Sequence, residues 1–463
     1  VGKLISTNPA DNYSFVGEVE ITNDAQIKKK LSEANAAKTV WKELGVKGRI
    51  RLLEPIRDEF KARADEIAKL ISIETGKAIH ESTSEVTRYI SELTWFLENG
   101  PKALGDEITL KENKFLHRIV YEPYGVAIAI APWNNPFGMA VWGIFPNLIA
   151  GNTVIFKTSK ECPVVGKLLE EIIQNHNLPG GVFAEVYGPG VGEKLTEGDI
   201  NLIWFTGSTS TGKELYKIAA DKFIKAVLEM GGSDPCVVFK DADIGRAAPV
   251  IFKGRFKHSG QICNALKRLI VHESIAKELI SALKEIIESK KIGNPLDPRT
   301  DLGSLVAERQ QDLLAKQLKD ALDKGARIVV QIKLGKSLKG AFFPPTLLTH
   351  ITKDMRVWHE EVFGPVFPIV TFKTEDEAVE LANDTIYGLG ARIITEDKKR
   401  AARVASRIDA GSVAINYEAR FVACDPFGGY KNSGLGRERG VQGLHELCQI
   451  KVIQQRDDSI VKA

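Results

Sequence analysis

Between residues 125 and 239, short apolar runs alternate with stretches of helical pattern. The runs are GVAIAIAP (125–132), TVIFKTS (153–159), FAEVYG (183–188), LIWFTGS (202–208), KAVLEMG (225–231) and PCVVF (235–239). No other feature restricts the fold as strongly. A strand apolar at successive positions must be covered on both faces, and helices returning the chain between such strands make them parallel. The pattern predicts a doubly wound α/β domain, which takes ligands in the crevice beyond the carboxyl ends of its strands. A second set follows: RLIVH (268–272), RIVVQIK (327–333), PIVTF (368–372), ARIIT (391–395) and SVAINY (412–417). It predicts a second domain of the same class.

The N-terminal third reads mostly helical. Asn23 and Gln26 have the spacing of a capping box, and Ile27, Leu31, Ala34 and Trp41 recur at helical intervals after it. A second helix is expected from about Gly48, with Pro55 inside it as a breaker. Two segments instead alternate apolar and polar residues, ITLKENKFLHRIVYEP (108–123) and QIKVIQQ (449–455). They are expected to pair as half-exposed strands and leave an edge open to another subunit. The alternative is an edge sheet of a monomer.

With 463 residues, 43% hydrophobic and 27% charged, the chain has material for two or three domains, or for one large one with insertions. A net charge of +3 gives no argument for a nucleic-acid or membrane partner. The apolar runs are too short to span a bilayer, and the first residues carry no targeting pattern. The five cysteines, Cys162, Cys236, Cys263, Cys424 and Cys448, are odd in number and form no CxxC pair. That fits a reducing compartment, so a cytoplasmic location is expected. No metal-ligand set stands out.

Several residues have the chemistry of a site, and each has a plainer reading. Cys263 follows Ser259 and Gly260, so the chain can turn there and present backbone N–H groups to an oxyanion. A buried structural cysteine would need no such neighbours. Glu229 ends an apolar strand before Gly231 and Gly232, where a partly desolvated carboxylate can act as a general base. Taken alone it reads as a solvated loop residue. Asn134 lies in APWNNPF (131–137), a stiff loop that can aim an amide at an oxyanion, or simply a turn. FTGSTSTG (205–212) follows a strand and opens a helix, so Gly207, Ser208 and the helix N-terminus can face a pyrophosphate. FKTSK (156–160) brings two lysines to the same sheet edge. EEVFGPV (360–366) and FGGYKNSGLGRERG (427–440) read as loops.

Taken in order, PWN, K-x-S, FTGS, E-x-GG, GQ-x-C, E-x-FGP and PFGG-x-K-x-SG resemble the aldehyde dehydrogenase superfamily. The resemblance runs from about residue 8 to the C-terminus, and the glutamate-to-cysteine separation, 263 − 229 = 34, agrees with it. It implies an α/β chain with a Rossmann-like cofactor-binding domain (1–104 and 123–229), an α/β catalytic domain (230–440) and a small β oligomerisation extension (105–122 and 441–463). A homodimer or homotetramer is expected. By this likeness Cys263 is the nucleophile, Asn134 an oxyanion donor and Glu229 the base that activates water. Trp133, Lys157, Ser159, Lys160, Gly207, Ser208, Gly231, Glu361 and Phe363 are the expected cofactor residues.

NAD-preferring members resemble K-x-x-E after the strand, with the carboxylate on the ribose 2′-hydroxyl. Here Lys160 takes that position. An ammonium attracts a 2′-phosphate, so NADP+ is expected to be preferred, with NAD+ weaker and Glu161 the competing neighbour. The sequence around the cysteine is most similar to the NADP-dependent succinate-semialdehyde dehydrogenase branch. That branch usually carries two arginines near the aldehyde tunnel; the corresponding residues here are Trp142 and Lys257. Arg420 is a candidate substitute, and Phe137 and Phe421 are expected at the tunnel mouth. The expected reaction is oxidation of succinate semialdehyde to succinate, and the alternative is a permissive aliphatic or aromatic aldehyde dehydrogenase. A CoA-acylating relative would generally lack Glu229, and an inactive structural homologue would have lost Cys263 or Asn134.

Overall fold

The computed structural model describes residues 2–112, 114–416 and 422–456. Its first sheet is centred on the strand Val126–Ile130. Thr153–Lys157 and then Phe183–Val186 lie parallel on one side. Leu202–Thr206 and Lys225–Glu229 lie parallel on the other, closed by the short antiparallel Gly434–Leu435. The order reverses between Val126–Ile130 and Leu202–Thr206, so a crevice opens beyond their carboxyl ends. Successive residues of these strands enter opposite cores, as full burial demands. Ala127, Ala129 and Trp204 pack with Phe137 and Leu148, while Ile128 and Ile203 pack with Val191 and Leu215.

The second sheet has seven strands in the order Arg327–Gln331, Thr346–Thr349, Val366–Phe372, Leu266–His272, Asp234–Val238, Gly390–Ile394, Ser412–Ile415. The run PCVVF, grouped by its pattern with the first set, pairs here with Leu266–His272 and Gly390–Ile394. Residues 230–233 carry the chain from one sheet to the other. RIVVQIK departs from the parallel expectation. Its strand is antiparallel to Thr346–Thr349 at the sheet edge, where half-exposure is tolerated.

The alternating segments pair as expected: Phe115–Pro123 lies between Glu107–Glu112 and Cys448–Arg456 in a three-stranded antiparallel sheet. Ile108, Phe115, Ile450 and Val452 are exposed on it. The N-terminal third differs from its helical reading, because Lys3–Asn8 and Ser14–Glu20 form a hairpin before the helices begin. The hairpin buries little beyond Ser6 and Val19, so it leaves a faint apolar pattern. The capping box at Asn23 and Gln26 is formed, and Ile27, Leu31, Ala34 and Trp41 are buried. The helix Gly45–Ala62 runs through Pro55. The carbonyl that Pro55 leaves without an amide partner belongs to Arg51, on the exposed face, where water can satisfy it.

Candidate active site

Cys263 stands on a loop held in an uncommon backbone conformation. His258 (φ 49°), Ser259 (φ 49°) and Gly260 (φ 77°) are all left-handed in succession. A Cβ on Gly260 would lie 2.4 Å from the Gly364 carbonyl oxygen, so glycine is required by close approach as well as by φ. Gln261 is a strut rather than a ligand. Its Nε2 donates to the His258 carbonyl (3.3 Å), and its Oε1 accepts from Val306 N (3.1 Å). The Ser259 hydroxyl donates to the Gly303 carbonyl at 2.9 Å. These bonds hold open the loop that ends at a half-buried Cys263.

The loop faces a cleft of about 1570 Å³ that lies between the two sheets. Asn134 and Glu229 line the same cleft. Asn134 is 5% exposed, and its carbonyl accepts from Lys77 Nζ at 2.7 Å. Glu229 is 2% exposed at the carboxyl end of its strand, opposite Thr206. Glu229 Oε1 has no hydrogen-bond partner among the described residues. Burial first, then the neighbouring Glu438 and Glu361 carboxylates, push the Glu229 carboxyl well above its ordinary range. Burial and Glu229 likewise push the Cys263 thiol up. Both groups therefore give up a proton less readily than in water. The histidine nearest the cysteine in the chain, His258, is held neutral by burial and by Lys77.

The expected cofactor residues divide into two groups. Trp133, Gly207, Ser208, Gly231, Glu361 and Phe363 line the cleft. Ser208 caps the helix Thr209–Lys222 by accepting from Thr211 N, so that N-terminus opens at the crevice where the strand order reverses. Glu361 Oε1 accepts from Gly232 N at 3.1 Å. A Cβ on Gly231 would come within 2.4 Å of Glu361 Oε2, so this glycine makes room for the carboxylate. Phe363 meets Trp133 edge to face at 5.6 Å. Lys157, Ser159 and Lys160 stand apart, where Thr153–Lys157 ends, and do not line that cleft. Burial lowers the Lys157 ammonium below its usual range, and its Nζ donates to the Thr158 carbonyl. Ser159 Oγ accepts from Glu161 N in a local turn. Lys160 is exposed. Glu161 is engaged by Arg309 at 2.8 Å. A helix N-terminus for a pyrophosphate, a lysine at a strand end and a carboxylate across the cleft fit a nicotinamide dinucleotide.

The substrate residues fare less evenly. Trp142 and Lys257 line the cleft. Phe137 does not. It is fully buried in the core against Phe60, ring centroids 5.2 Å apart, because the helix Pro136–Ala150 is buried all round and this side chain faces inward. Arg420 and Phe421 lie outside the described residues. The surroundings of Trp142 leave no signal in the sequence. Its Nε1 donates to Glu92 Oε2 at 2.8 Å, and Arg88 and Arg439 both pair with Glu92. Arg439 also lies over the indole, 5.0 Å from the ring centroid, and Tyr89 meets it edge-on. Two further groups gave no signal beyond their residue type. Glu438, in the glycine-rich segment, accepts from the Thr206 hydroxyl at 3.0 Å and is pushed up by burial to about 8. Lys267 lies fully buried directly behind the Cys263 loop.

The family model for the aldehyde dehydrogenase family matches residues 2–453. Among curated proteins, the chain is 38% identical to the peroxisomal aminoaldehyde dehydrogenase 1 of Pisum sativum, over 94% of this chain and 88% of that one. It is 35% identical to the succinate-semialdehyde dehydrogenase [NADP(+)] of Deinococcus radiodurans, over 93% of this chain and 90% of that one. Among solved structures, an E. coli NADP dependent enzyme superposes with a TM-score of 0.94 at 31% identity, covering 98% of this chain and 95% of that chain. The betaine aldehyde dehydrogenase of Staphylococcus aureus in complex with NAD+ gives 0.93 at 32% identity, covering 99% and 92%.

Proposed function

This chain belongs to the aldehyde dehydrogenase family, and from that premise we propose that it oxidises succinate semialdehyde to succinate with NADP+ preferred over NAD+. The observation that carries the reading is the meeting of Cys263, Asn134 and Glu229 on one cleft, beside a helix N-terminus and Glu361. The Cys263 thiolate attacks the aldehyde carbon and forms a C–S bond. The Asn134 amide and the Cys263 N–H hold the oxyanion. Ser208 and the helix it caps would hold the pyrophosphate, and Glu361 and Lys157 the riboses, of a bound dinucleotide, which would supply the hydride acceptor. A thioester then remains on Cys263. Glu229 takes a proton from water, which adds to the thioester carbon, and the thiolate leaves. The presence of Glu229 supports hydrolysis rather than acyl transfer to CoA.

Residues 1–104 with 123–229 are assigned to cofactor binding, 230–440 to catalysis and 105–122 with 441–463 to oligomerisation. The apolar residues exposed on the three-stranded sheet support a homodimer or homotetramer. No helix among the described residues is long and apolar enough to cross a membrane, and the proposed cytoplasmic location is supported by the odd number of cysteines without a CxxC pair.

NADP+ preference rests on the exposed Lys160 ammonium at the strand end and on the engagement of Glu161 by Arg309. Lys160→Glu is expected to raise KM for NADP+ by about tenfold and to lower it for NAD+, through loss of one charge-assisted contact. Steady-state kinetics with both dinucleotides checks this. An unchanged preference would remove Lys160 from the account.

Succinate semialdehyde is favoured by Lys257 in the cleft and by the two guanidinium groups around Trp142. A second reading, an ω-aminoaldehyde, is favoured by the aromatic surfaces of Tyr89, Trp142 and Phe427, by Asp425 on the same cleft, and by the likeness to aminoaldehyde dehydrogenases. A permissive aliphatic or aromatic specificity is the third. A panel of succinate semialdehyde, an ω-aminoaldehyde, butyraldehyde and benzaldehyde, ranked by kcat/KM at fixed NADP+, separates them. The expected leader is succinate semialdehyde, and Lys257→Met should cost it about tenfold while sparing butyraldehyde. A leading aminoaldehyde would establish the second reading.

A further inference from the structure

Lys267 is the second residue of the strand Leu266–His272 and has no exposed surface. A buried ammonium is costly unless its donors are satisfied. Here they are. Its Nζ donates to the Ile262 carbonyl at 3.1 Å and to the Cys263 carbonyl, and lies 3.1 Å from Glu361 Oε1. Three donors meet three acceptors. The ammonium is also 5.7 Å from the centroid of the Phe363 ring. Gly232 closes the arrangement from the other side. Its N–H donates to the same Glu361 oxygen, and a Cβ on it would lie 2.8 Å from the Cys263 carbonyl oxygen. A side chain present only for packing would be apolar. This one ends on the backbone of the cysteine loop and on the carboxylate assigned to the cofactor.

We infer that Lys267 is a positioning residue: it ties Glu361 to the loop that carries Cys263 and balances the negative charge gathered around the thiol. The role of Glu361 in this inference rests on the function proposed above. The tie between Lys267 and the cysteine loop rests on contacts alone. Three carboxyl groups bear on the Cys263 thiol: Glu229 from the end of Lys225–Glu229, Asp234 from the start of Asp234–Val238, and Glu361 from its loop. Glu438 stands behind Glu229. Lys267 opposes them. A thiolate forming among these carboxylates is repelled, and the ammonium behind the loop offsets part of that repulsion.

The test reads the thiol without turnover. The rate of Cys263 alkylation by iodoacetamide is measured against pH, without cofactor, by peptide mapping of the full-length protein. Lys267→Met should move the midpoint of the profile upward by about one unit, which is about a tenfold slower reaction at any pH below it. Glu361→Gln should move the midpoint downward, because one repelling charge is gone while the ammonium remains. Lys267→Arg should stay near the wild type. Opposite shifts in the two variants are the signature, since a loosened fold would not give opposite signs. A common direction, or midpoints equal to the wild type, overturns the inference. If Lys267→Met does not fold, the downward shift in Glu361→Gln decides alone, and its absence overturns the inference. Aldehyde turnover by the wild type tests the proposed function separately. An enzyme inactive on aldehydes with opposite alkylation shifts would remove that function and leave the role of Lys267.

Discussion

Replacing Cys263 by alanine is expected to lower kcat/KM for aldehyde oxidation by on the order of 10⁴-fold or more, the scale seen when a covalent nucleophile is removed. Dinucleotide binding should persist, because the residues assigned to it belong to other segments. The contrast between lost turnover and retained binding makes the result informative. A variant with a disturbed fold would lose both. Absorbance of the reduced cofactor measures the first, and a fluorescence titration measures the second. Neighbouring cysteines cannot substitute: Cys162, Cys236 and Cys448 are buried, and Cys424 is exposed but is not among the residues lining the cleft.

Glu229→Gln should separate the two halves of the reaction. Attack by Cys263 and loss of hydride do not need the water-activating base, whereas thioester hydrolysis does. The variant is expected to release about one equivalent of reduced cofactor per site in a rapid burst, then turn over 10²- to 10⁴-fold more slowly, roughly the contribution of a positioned general base. The pH dependence follows from the direction of its shift. The Glu229 carboxyl is pushed up by burial and by Glu438 and Glu361, so its basic form grows as pH rises. Wild-type kcat should therefore climb with pH through that ionisation, and Glu229→Gln should lose that limb. Stopped-flow absorbance across a pH series checks both statements.

The fold was legible wherever burial demanded a simple pattern. Strands covered on both faces must be apolar at every position, and GVAIAIAP and LIWFTGS could be little else. The hairpin at the N-terminus was not legible, because Lys3–Asn8 and Ser14–Glu20 bury few apolar side chains and leave charged residues on both. PCVVF illustrates a different limit. An apolar strand carries no label of the sheet it joins, and only the pairing with Leu266–His272 assigns it. Within the site, Asn134, Glu229 and Cys263 each have a plainer reading alone, and only the ordered set of motifs marks them together. Phe137 misled for a different reason. On a helix buried all round, an aromatic beside the cleft and one beneath it look alike in sequence. Lys267 and Glu438 were invisible because an isolated charged residue reads as solvated. Only the acceptors around Lys267 and the Thr206 hydroxyl beside Glu438 reveal their surroundings.

In the proposed reaction Cys263 carries the acyl group between oxidation and hydrolysis. This is tested most directly by mixing Glu229→Gln with NADP+ and succinate semialdehyde, quenching in acid during the burst, and mapping peptides by mass spectrometry. One adduct is expected, on the peptide containing Cys263, with the mass of a succinyl thioester and a yield matching the cofactor reduced. Cofactor reduced in the burst with Cys263 unmodified, or with the acyl group on another residue, would contradict it.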